Sequence, residues 1–254
     1  MRVLDIVAMK YCMHAADVAP QPMDDPSSTD AVEARQMFGA ATGCTEFEQR
    51  LLRFEHRSDS RGDAGRDELL YVLSGSGSVT IARERHSLSP GTAAYIAHGT
   101  DWRMEDADDL RVLSVLVTEP LPANGATHAV VDLAAEETKG ATAGRQFRLL
   151  ATPAVGCASV TQFVGYIPVG RAPDHFHKYD EVVYVLEGAG ELHIGGESAP
   201  LHAGSCLHFP ARLVHSIENS GPGVMQVLGV FRPAGSPAEA YYPDGTAAVV
   251  PQED

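Results

Sequence analysis

The sequence predicts an all-β protein made of two tandem antiparallel barrels. Three observations lead to this prediction: short alternating apolar runs, the glycines and prolines that close these runs, and an internal repeat. The chain has 254 residues, of which 24 are glycine and 16 are proline. Runs such as LLYVLSGSGSVTIA and VVYVLEGAGELHI end at turn residues, a pattern typical of β-sandwiches and barrels.

The internal repeat has an offset of 113 residues, which aligns 49–120 with 162–233 without a gap. DELLYVLSGSGSVTI then falls on DEVVYVLEGAGELHI. Turn residues coincide as well as apolar ones, as at Gly75/Gly188, Gly91/Gly204 and Pro120/Pro233. Because chance matches between strands would not keep glycines and prolines in register, we interpret the chain as two copies of one β-domain.

The repeat sets the predicted domain organisation. Its segments are an N-terminal arm (1–45), a first barrel (46–121), a linker with first strands (122–160), a second barrel (161–234) and a C-terminal tail (235–254). Weak helical signals over Thr29–Phe38 and Asp132–Lys139 place one helix before the first barrel and a short helix in the linker. The arm is expected either to cross a neighbouring unit or to be loosely ordered.

Charge and composition exclude some functions. With 34 acidic and 19 basic side chains the formal charge is −15, so nucleic acid is not an expected partner. No apolar run reaches the length of a membrane helix, and the N-terminus does not resemble a secretion signal, so a cytoplasmic protein without a membrane partner is expected. The four cysteines lack paired spacing and are expected to be free thiols.

Four residues of the second copy have the spacing of metal ligands. His175 and His177 are two apart, which places their side chains on one face of a strand. Glu181 follows four residues later, and His215 comes after Pro210, where the chain turns back. Three imidazoles and one carboxylate suit a first-row divalent metal and leave two positions of an octahedron open.

These residues form HxHx3Ex6G from His175 to Gly188 and Gx5PxRx2Hx3N from Gly204 to Asn219. The two patterns resemble the motifs of the cupin superfamily, and the repeat makes the chain similar to a bicupin. The resemblance implies two cupin-type barrels of the double-stranded β-helix (jelly-roll) kind. It also implies that the metal ligands are His175, His177, Glu181 and His215. Two positions depart from the family pattern: Gly170 lies one residue too close to His175, and Arg212 replaces a glycine.

The first copy lacks the ligand set. The repeat maps the three histidines onto Gly62, Ala64 and Trp102, and retains only Glu68. One carboxylate does not hold a transition metal against water. We therefore expect one metal per chain, with Fe(II) or Mn(II) favoured over Ni, Zn or Cu. Trp102 is expected to fill the first barrel, the alternative being a metal-free pocket for an organic ligand.

Other candidates lie near the predicted metal. Catalytic acid–base roles are assigned to Glu181 and to His193, which has no histidine counterpart in the first copy. Arg171 and Arg212 are candidates for binding an acidic substrate in an otherwise anionic chain. The remaining substrate-binding candidates are Gln162, Phe176 and Tyr184. Tyr184 and Gln162 are matched by Tyr71 and Gln49, which also favours a packing role.

The barrel and metal do not determine the reaction. Our first hypothesis is a dioxygenase-type oxidoreductase that chelates a small enol, catechol or hydroxy acid and uses O2. The alternatives are a redox-neutral isomerase, lyase or aminohydrolase, and a non-catalytic small-molecule-binding protein. Both a monomer and a homo-oligomer are compatible with two fused barrels.

Overall fold

The computed structural model describes residues 10–22 and 32–248. In this part of the chain the regular structure is β-strand with a few one-turn 3₁₀ helices, apart from the helical residues 10–11. The pairings whose register is defined are antiparallel. The predicted antiparallel all-β fold is therefore confirmed.

The strands are numbered in chain order. They are β1 Cys12–His14, β2 Gln21–Pro22, β3 Val32–Phe38, β4 Phe47–Phe54, β5 Asp67–Ile81, β6 Glu84–Leu88, β7 Thr92–Ile96, β8 Trp102–Val117, β9 His128–Asp132, β10 Lys139–Gly140, β11 Gln146–Ala151, β12 Thr161–Ile167, β13 Gly170–Arg171, β14 Asp180–Glu187, β15 Ala189–Ile194, β16 Glu197–His202, β17 Ser205–Phe209, β18 Ser216–Asn219 and β19 Met225–Arg232. The 3₁₀ helices are Ala15–Asp17, Ala40–Thr42, Leu133–Ala135, Thr142–Gly144 and Pro153–Val155.

The chain divides into two compact units. The N-terminal unit consists of Val18–Glu136 and Leu150–Val160. The C-terminal unit consists of Met1–Asp17, Glu137–Leu149 and Thr161–Asp254. The predicted C-terminal tail thus lies in the C-terminal unit, where the backbone of Tyr241 pairs with that of Phe176.

The same strand order recurs in both units. The N-terminal sheet runs β2-β3-β4-β8-β5-β7-β9, with β6 paired to β5. The larger C-terminal sheet runs β1-β17-β14-β19-β12-β11-β10, and a smaller one runs β13-β18-β15-β16. The central order β4-β8-β5-β7 corresponds to β12-β19-β14-β17 under the 113-residue offset. The sequence repeat is therefore also a repeat of topology.

A pair of equivalent glycines shows that the repeat extends to local backbone geometry. Gly75 and Gly188 have φ of 81° and 99°, in the region that favours glycine. A Cβ atom on Gly75 would lie 2.3 Å from the backbone oxygen of Asp109, and one on Gly188 would lie 2.9 Å from the Cα of Met225. Both glycines allow a strand to bend closely against its neighbour, which curves the sheet around the core.

Each unit encloses its own apolar core. The N-terminal core includes Leu52, Phe54, Ile81, Trp102 and Val112. The C-terminal core is formed by β-strand residues such as Val185, Leu192 and Phe209, and an aromatic group lies beside it. That aromatic group consists of Phe147, Phe163, Tyr179 and Phe231.

The two predicted helices are wrong in the described residues. Val32–Phe38 is a strand that pairs along β4, with Val32 opposite Phe54. The exposed edge of β4 offers a complete hydrogen-bonding partner, and this outweighs a weak local helix preference. In the linker, Asp132 caps a single 3₁₀ turn by accepting a hydrogen bond from the Ala134 amide, and β10 then pairs with β11. Residues 29–31 lie outside the described part.

Two further described segments of the predicted N-terminal arm are paired as strands. Cys12–His14 pairs with β17 and Gln21–Pro22 pairs with β3, so these segments are edge strands. Residues 1–9 and 23–31 lie outside the described part. Among the described residues, no helix has the length and hydropathy needed to cross a membrane.

Trp102 is buried in the N-terminal core with 2% of its surface exposed, as predicted. Its ring lies edge-on to Phe54, and its Nε1 donates a hydrogen bond to Glu68 Oε2 at 3.1 Å. We expect Trp102→Ala to lower the free energy of unfolding of this unit by about 3–5 kcal/mol, because it creates a cavity. Chemical denaturation followed by circular dichroism measures this. Leu121→Ala, at a side chain that is 56% exposed, should have little effect, and equal losses in both variants would contradict the packing role.

Candidate metal centre

Three histidine side chains converge in the C-terminal unit. His175 and His215 lie on segments that pair with each other through two backbone hydrogen bonds of 3.0 and 2.8 Å. The ring centroid of His175 is 5.0 Å from that of His177 and 4.8 Å from that of His215. One nitrogen from each ring lies within 4.8 Å of the other two. The spacing predicted from the sequence thus brings these three residues together.

Backbone carbonyls fix the orientation of all three rings. The Nδ1 atom of His175 is 2.9 Å from the carbonyl oxygen of Pro173, and that of His215 is 2.9 Å from the carbonyl oxygen of Leu213. The Nδ1 atom of His177 is 2.7 Å from the carbonyl oxygen of Glu239. Since a carbonyl only accepts, each Nδ1 must carry the proton. The Nε2 lone pairs are left available for a metal.

The three imidazoles are held neutral. Burial lowers the pKa of His175, and it lowers the pKa of His177 to about 3, with His175 adding to the effect. Burial also lowers the pKa of His215, and both other histidines reinforce this. Neutral imidazole is the form that binds metals. The donor set and its fixed tautomers therefore fit a divalent first-row ion.

Glu181 lies in the same cavity but apart from the three ring nitrogens. It is at the start of β14, 5% exposed, opposite Phe209 and Phe231 in the neighbouring strands. Its Oε1 points towards Gly229, where an added Cβ would come within 3.0 Å of it. Burial, with a smaller contribution from Asp180, raises the pKa of Glu181 to about 8 against the opposing effect of Arg145.

The equivalent carboxylate in the N-terminal unit has a different environment. Glu68 accepts hydrogen bonds from Ser114 Oγ at 2.5 Å, Arg50 Nη2 at 3.0 Å and Trp102 Nε1 at 3.1 Å. These donors occupy the carboxylate and stabilise its charge. In the described part of the chain, no residue donates a hydrogen bond to Glu181. The two units therefore use the same glutamate position differently.

Arg145 is a site residue that sequence reasoning missed. Its side chain lines a cavity of about 80 Å³ together with the three histidines and Glu181. Its Nη2 donates a hydrogen bond to the backbone oxygen of Ile217 at 3.0 Å. Burial lowers the pKa of Arg145 to about 10, while Glu181 raises it, so the guanidinium remains charged at neutral pH. Arg145 belongs to the segment between the repeats, so neither the motifs nor the 113-residue alignment could identify it.

The rest of the cavity wall is mostly apolar. Its aromatic and aliphatic members come from the central strands and from the segment after β19. They include Phe147, Phe163, Ile167, Tyr179, Val183, Phe209, Val227 and Ala240. A low-dielectric wall of this kind strengthens the interaction of any anion with the Arg145 guanidinium.

Comparison with known proteins agrees with this architecture. A family model described as a cupin domain matches residues 162–231. Residues 162–231 form a cupin domain. The polyketide synthase CurC of Streptomyces cyaneus is 37% identical over 82 residues, which are 31% of this chain and 53% of that protein. Auxin-binding protein 1 of Arabidopsis thaliana is 29% identical over 75 residues, 26% of this chain and 38% of that protein. The chain thus spans about half or less of the curated relatives it matches.

Solved structures match nearly the whole chain at low sequence identity. A protein of Pseudomonas aeruginosa described as glyoxylate-induced aligns with a TM-score of 0.73 and 17% identity, over 86% of this chain and 87% of that one. Oxalate decarboxylase of Bacillus subtilis, described with Mn(II) centres, aligns with a TM-score of 0.69 and 12% identity, over 89% of this chain and 78% of that one. At these identities the likeness establishes the cupin β-barrel fold alone.

The predicted rim arginines do not line the cavity of the cupin domain. Arg171 is exposed and pairs with Asp174 at 2.8 Å. Arg212 is exposed with φ of 68°, and its backbone amide donates to the carbonyl of His177. This left-handed conformation explains why the cupin motif has glycine here, and it gives Arg212 a backbone role in the turn that leads to His215.

The other predicted side chains are also outside the cavity lining. Gln162 and Tyr184 are buried on the strand faces opposite to their neighbours Phe163 and Val183, which do line it. Phe176 stacks on Tyr241 with ring centroids 5.6 Å apart. His193 forms a 2.8 Å contact with Glu218 in the smaller sheet. Successive side chains of a strand point to opposite faces, so assigning the cavity face one residue away from its true position accounts for the wrong placement of Gln162 and Tyr184.

We expect His177→Ala to abolish tight metal binding while the fold is retained, because the unit is held together by apolar strand packing. Metal content is measured by mass spectrometry after passage over a chelating resin, with circular dichroism as a check on folding. His202→Ala, an exposed histidine of the same unit, is the matched control and should keep one tightly held equivalent per chain. Equal metal retention in His177→Ala and wild type would contradict the assignment.

Proposed function

We propose that this chain is a metal-dependent cupin enzyme that acts on a small, oxygen-rich organic acid, with a dioxygenase-type oxidation as the reaction. The observation that carries the proposal is the convergence of three neutral, orientation-locked imidazoles in a cavity that also contains a charged arginine. The low-identity likeness to a manganese-containing oxalate decarboxylase supports the metal-dependent part.

The metal would be held by His175, His177 and His215 through Nε2. Glu181 is proposed as the fourth ligand, which requires its carboxyl group to rotate from the side of Gly229 towards the rings. A bound divalent ion would acidify a chelated substrate hydroxyl and, for Fe(II) or Mn(II), supply redox chemistry. A glutamate beside the substrate can also accept the hydroxyl proton, the role assigned to Glu181 in catalysis.

Arg145 supports the proposal that the substrate is an anion. With the metal in place, the formal charges are two positive from the ion, one positive from Arg145 and one negative from Glu181. The surplus of positive charge in an apolar cavity favours an anionic ligand. Two structural neighbours are named for oxalate and glyoxylate, which are small acids with adjacent oxygen atoms.

The guanidinium has a positioning role in this reaction. Its hydrogen bond to the Ile217 carbonyl fixes one edge of the planar group on β18. The remaining N–H donors of the guanidinium are available to bind a substrate carboxylate. The adjacent oxygen atom of the substrate would then be directed towards the histidines. The apolar wall excludes water from the reacting part of the substrate, so that a deprotonated oxygen is not resolvated.

A redox-neutral lyase, isomerase or hydrolase is the second candidate. The likeness to a protein named as an oxalate decarboxylase favours it, because loss of CO2 from a carboxylate is carbon–carbon cleavage that needs no net oxidation by O2. The two classes need the same metal and the same Arg145. They differ in whether O2 is consumed.

Anaerobic assay decides between the two classes. For a substrate that the protein turns over, the dioxygenase proposal expects one O2 taken up per product and no turnover without O2. Removal of the metal by a chelator should abolish turnover in either case. An oxygen electrode combined with product analysis measures both. Undiminished turnover without O2 would contradict the dioxygenase and favour the redox-neutral class.

Arg145→Gln should weaken the binding of a small carboxylate by about 10- to 100-fold, since hydrogen bonds to charged groups contribute about 1.5–3 kcal/mol. Isothermal titration of the metal-loaded protein with oxalate measures this, and neutral oxamide serves as the uncharged probe. Arg171→Gln is the matched control, because Arg171 is exposed and paired with Asp174. Weakening by Arg171→Gln and not by Arg145→Gln would overturn the assignment.

A further inference from the structure

Two histidines and a glutamate of the N-terminal unit meet at a place that the cupin motifs do not include. One ligand atom from each of Glu84, His86 and His128 lies within 4.8 Å of those of the other two. The rings of His86 and His128 are 5.8 Å apart, edge to face. His128 Nε2 is 3.5 Å from Glu84 Oε2. The position differs from that of Gly62, Ala64 and Trp102, where the repeat would place a cupin metal.

Strand alternation builds this cluster from two separate strands. Glu84, His86 and Leu88 are two residues apart on β6, so their side chains share one face. Burial increases along this face, from exposed Glu84 through half-buried His86 to Leu88 in the apolar core. On β9, His128 likewise shares a face with Val130, which packs against the same core. The two imidazoles therefore lie side by side at the rim of that core.

Nitrogen atoms of both rings lack a partner. His86 Nε2 and His128 Nδ1 are buried atoms that form no hydrogen bond with any described residue. A buried imidazole nitrogen without a partner is costly, because it has lost water and gained nothing. The three histidines of the cupin metal centre, in contrast, each bind a backbone carbonyl through Nδ1. The unpartnered Nε2 of His86 therefore indicates a ligand at the Glu84–His86–His128 cluster, where His128 turns its Nε2 towards Glu84.

We propose that Glu84, His86 and His128 bind a second divalent metal ion of the zinc type. Two imidazoles and one carboxylate, with a water as the fourth ligand, form a tetrahedral donor set that zinc accepts. The 3.5 Å between His128 Nε2 and Glu84 Oε2 agrees with two bonds of about 2.0–2.2 Å at a tetrahedral angle. Small rotations of exposed Glu84 and of His86 complete the site.

The bound ion would link β6 to β9 within the N-terminal unit. β6 is paired only to β5 in the described sheet, and β9 is the terminal strand after β7. A metal between them ties two sheet edges through side chains in addition to backbone pairing. This site would be weaker than the cupin centre, since Glu84 is 69% exposed and the set has only three protein ligands. Its role is therefore structural, and it does not depend on the proposed reaction.

Cobalt(II) titration of the full chain tests the second site, because tetrahedral Co(II) has strong visible absorption. The cupin centre is first disabled by His175→Ala with His177→Ala, and near-ultraviolet circular dichroism checks that the chain is folded. We expect one equivalent of Co(II) to bind with tetrahedral bands, and Zn(II) to displace it. Zn(II) should also raise the melting temperature of this variant.

Matched variants locate the binding. Glu84→Gln, at an exposed side chain, and His86→Asn should each weaken Co(II) binding by at least about 10-fold. Removing a residue that only hydrogen-bonds to a metal ligand already costs about this much affinity, and these two residues are proposed to be ligands themselves. His56→Asn, an exposed histidine of the same unit, should leave it unchanged. Absence of tetrahedral bands, or equal binding by all three variants, would overturn the proposal. A negative result in this titration does not bear on the proposed cupin metal centre, because the variant used lacks two of that centre's ligands.

Discussion

Three backbone carbonyls determine what the cupin domain can bind. Those of Pro173, Leu213 and Glu239 accept hydrogen bonds from the Nδ1 atoms of the three clustered histidines. Each carbonyl selects one tautomer and one ring orientation, so the Nε2 atom of each ring is left available for a metal. Two of the carbonyls lie two residues before the histidine that they orient. The third belongs to the segment after β19, so this segment is part of the site.

The two units show how one scaffold supports different uses of the same position. In the N-terminal unit, Trp102 fills the interior, and Glu68 is bound by a serine, an arginine and the indole. The carboxylate there accepts three hydrogen bonds, one of them from the charged guanidinium of Arg50. In the C-terminal unit, Glu181 lines a cavity with Arg145, and burial raises its pKa to about 8. A buried carboxyl group with a strongly raised pKa is typical of functional sites.

The sequence predicts the fold and the three histidines well because both depend on regular spacing. Strand alternation and the 113-residue repeat determine the all-β topology, and the two-residue separation of His175 and His177 determines their common face. The helix predicted over Thr29–Phe38 was wrong because a weak local helical signal cannot compete with the unpaired edge of β4. Gln162 and Tyr184 were assigned to the cavity although they lie on the opposite strand face. Arg145 could not be found, since it lies outside the repeat and reaches the cavity only through tertiary packing.

The tautomeric state of the three histidines in the metal-free protein tests directly whether the backbone carbonyls orient the rings. Long-range ¹⁵N–¹H correlation spectra of the ¹⁵N-labelled chain distinguish Nδ1–H from Nε2–H imidazole and identify the imidazolium form. Assignment uses His175→Ala, His177→Ala and His215→Ala one at a time. We expect neutral Nδ1–H tautomers for all three rings at pH 7. Nε2–H tautomers or imidazolium at these positions would contradict this expectation.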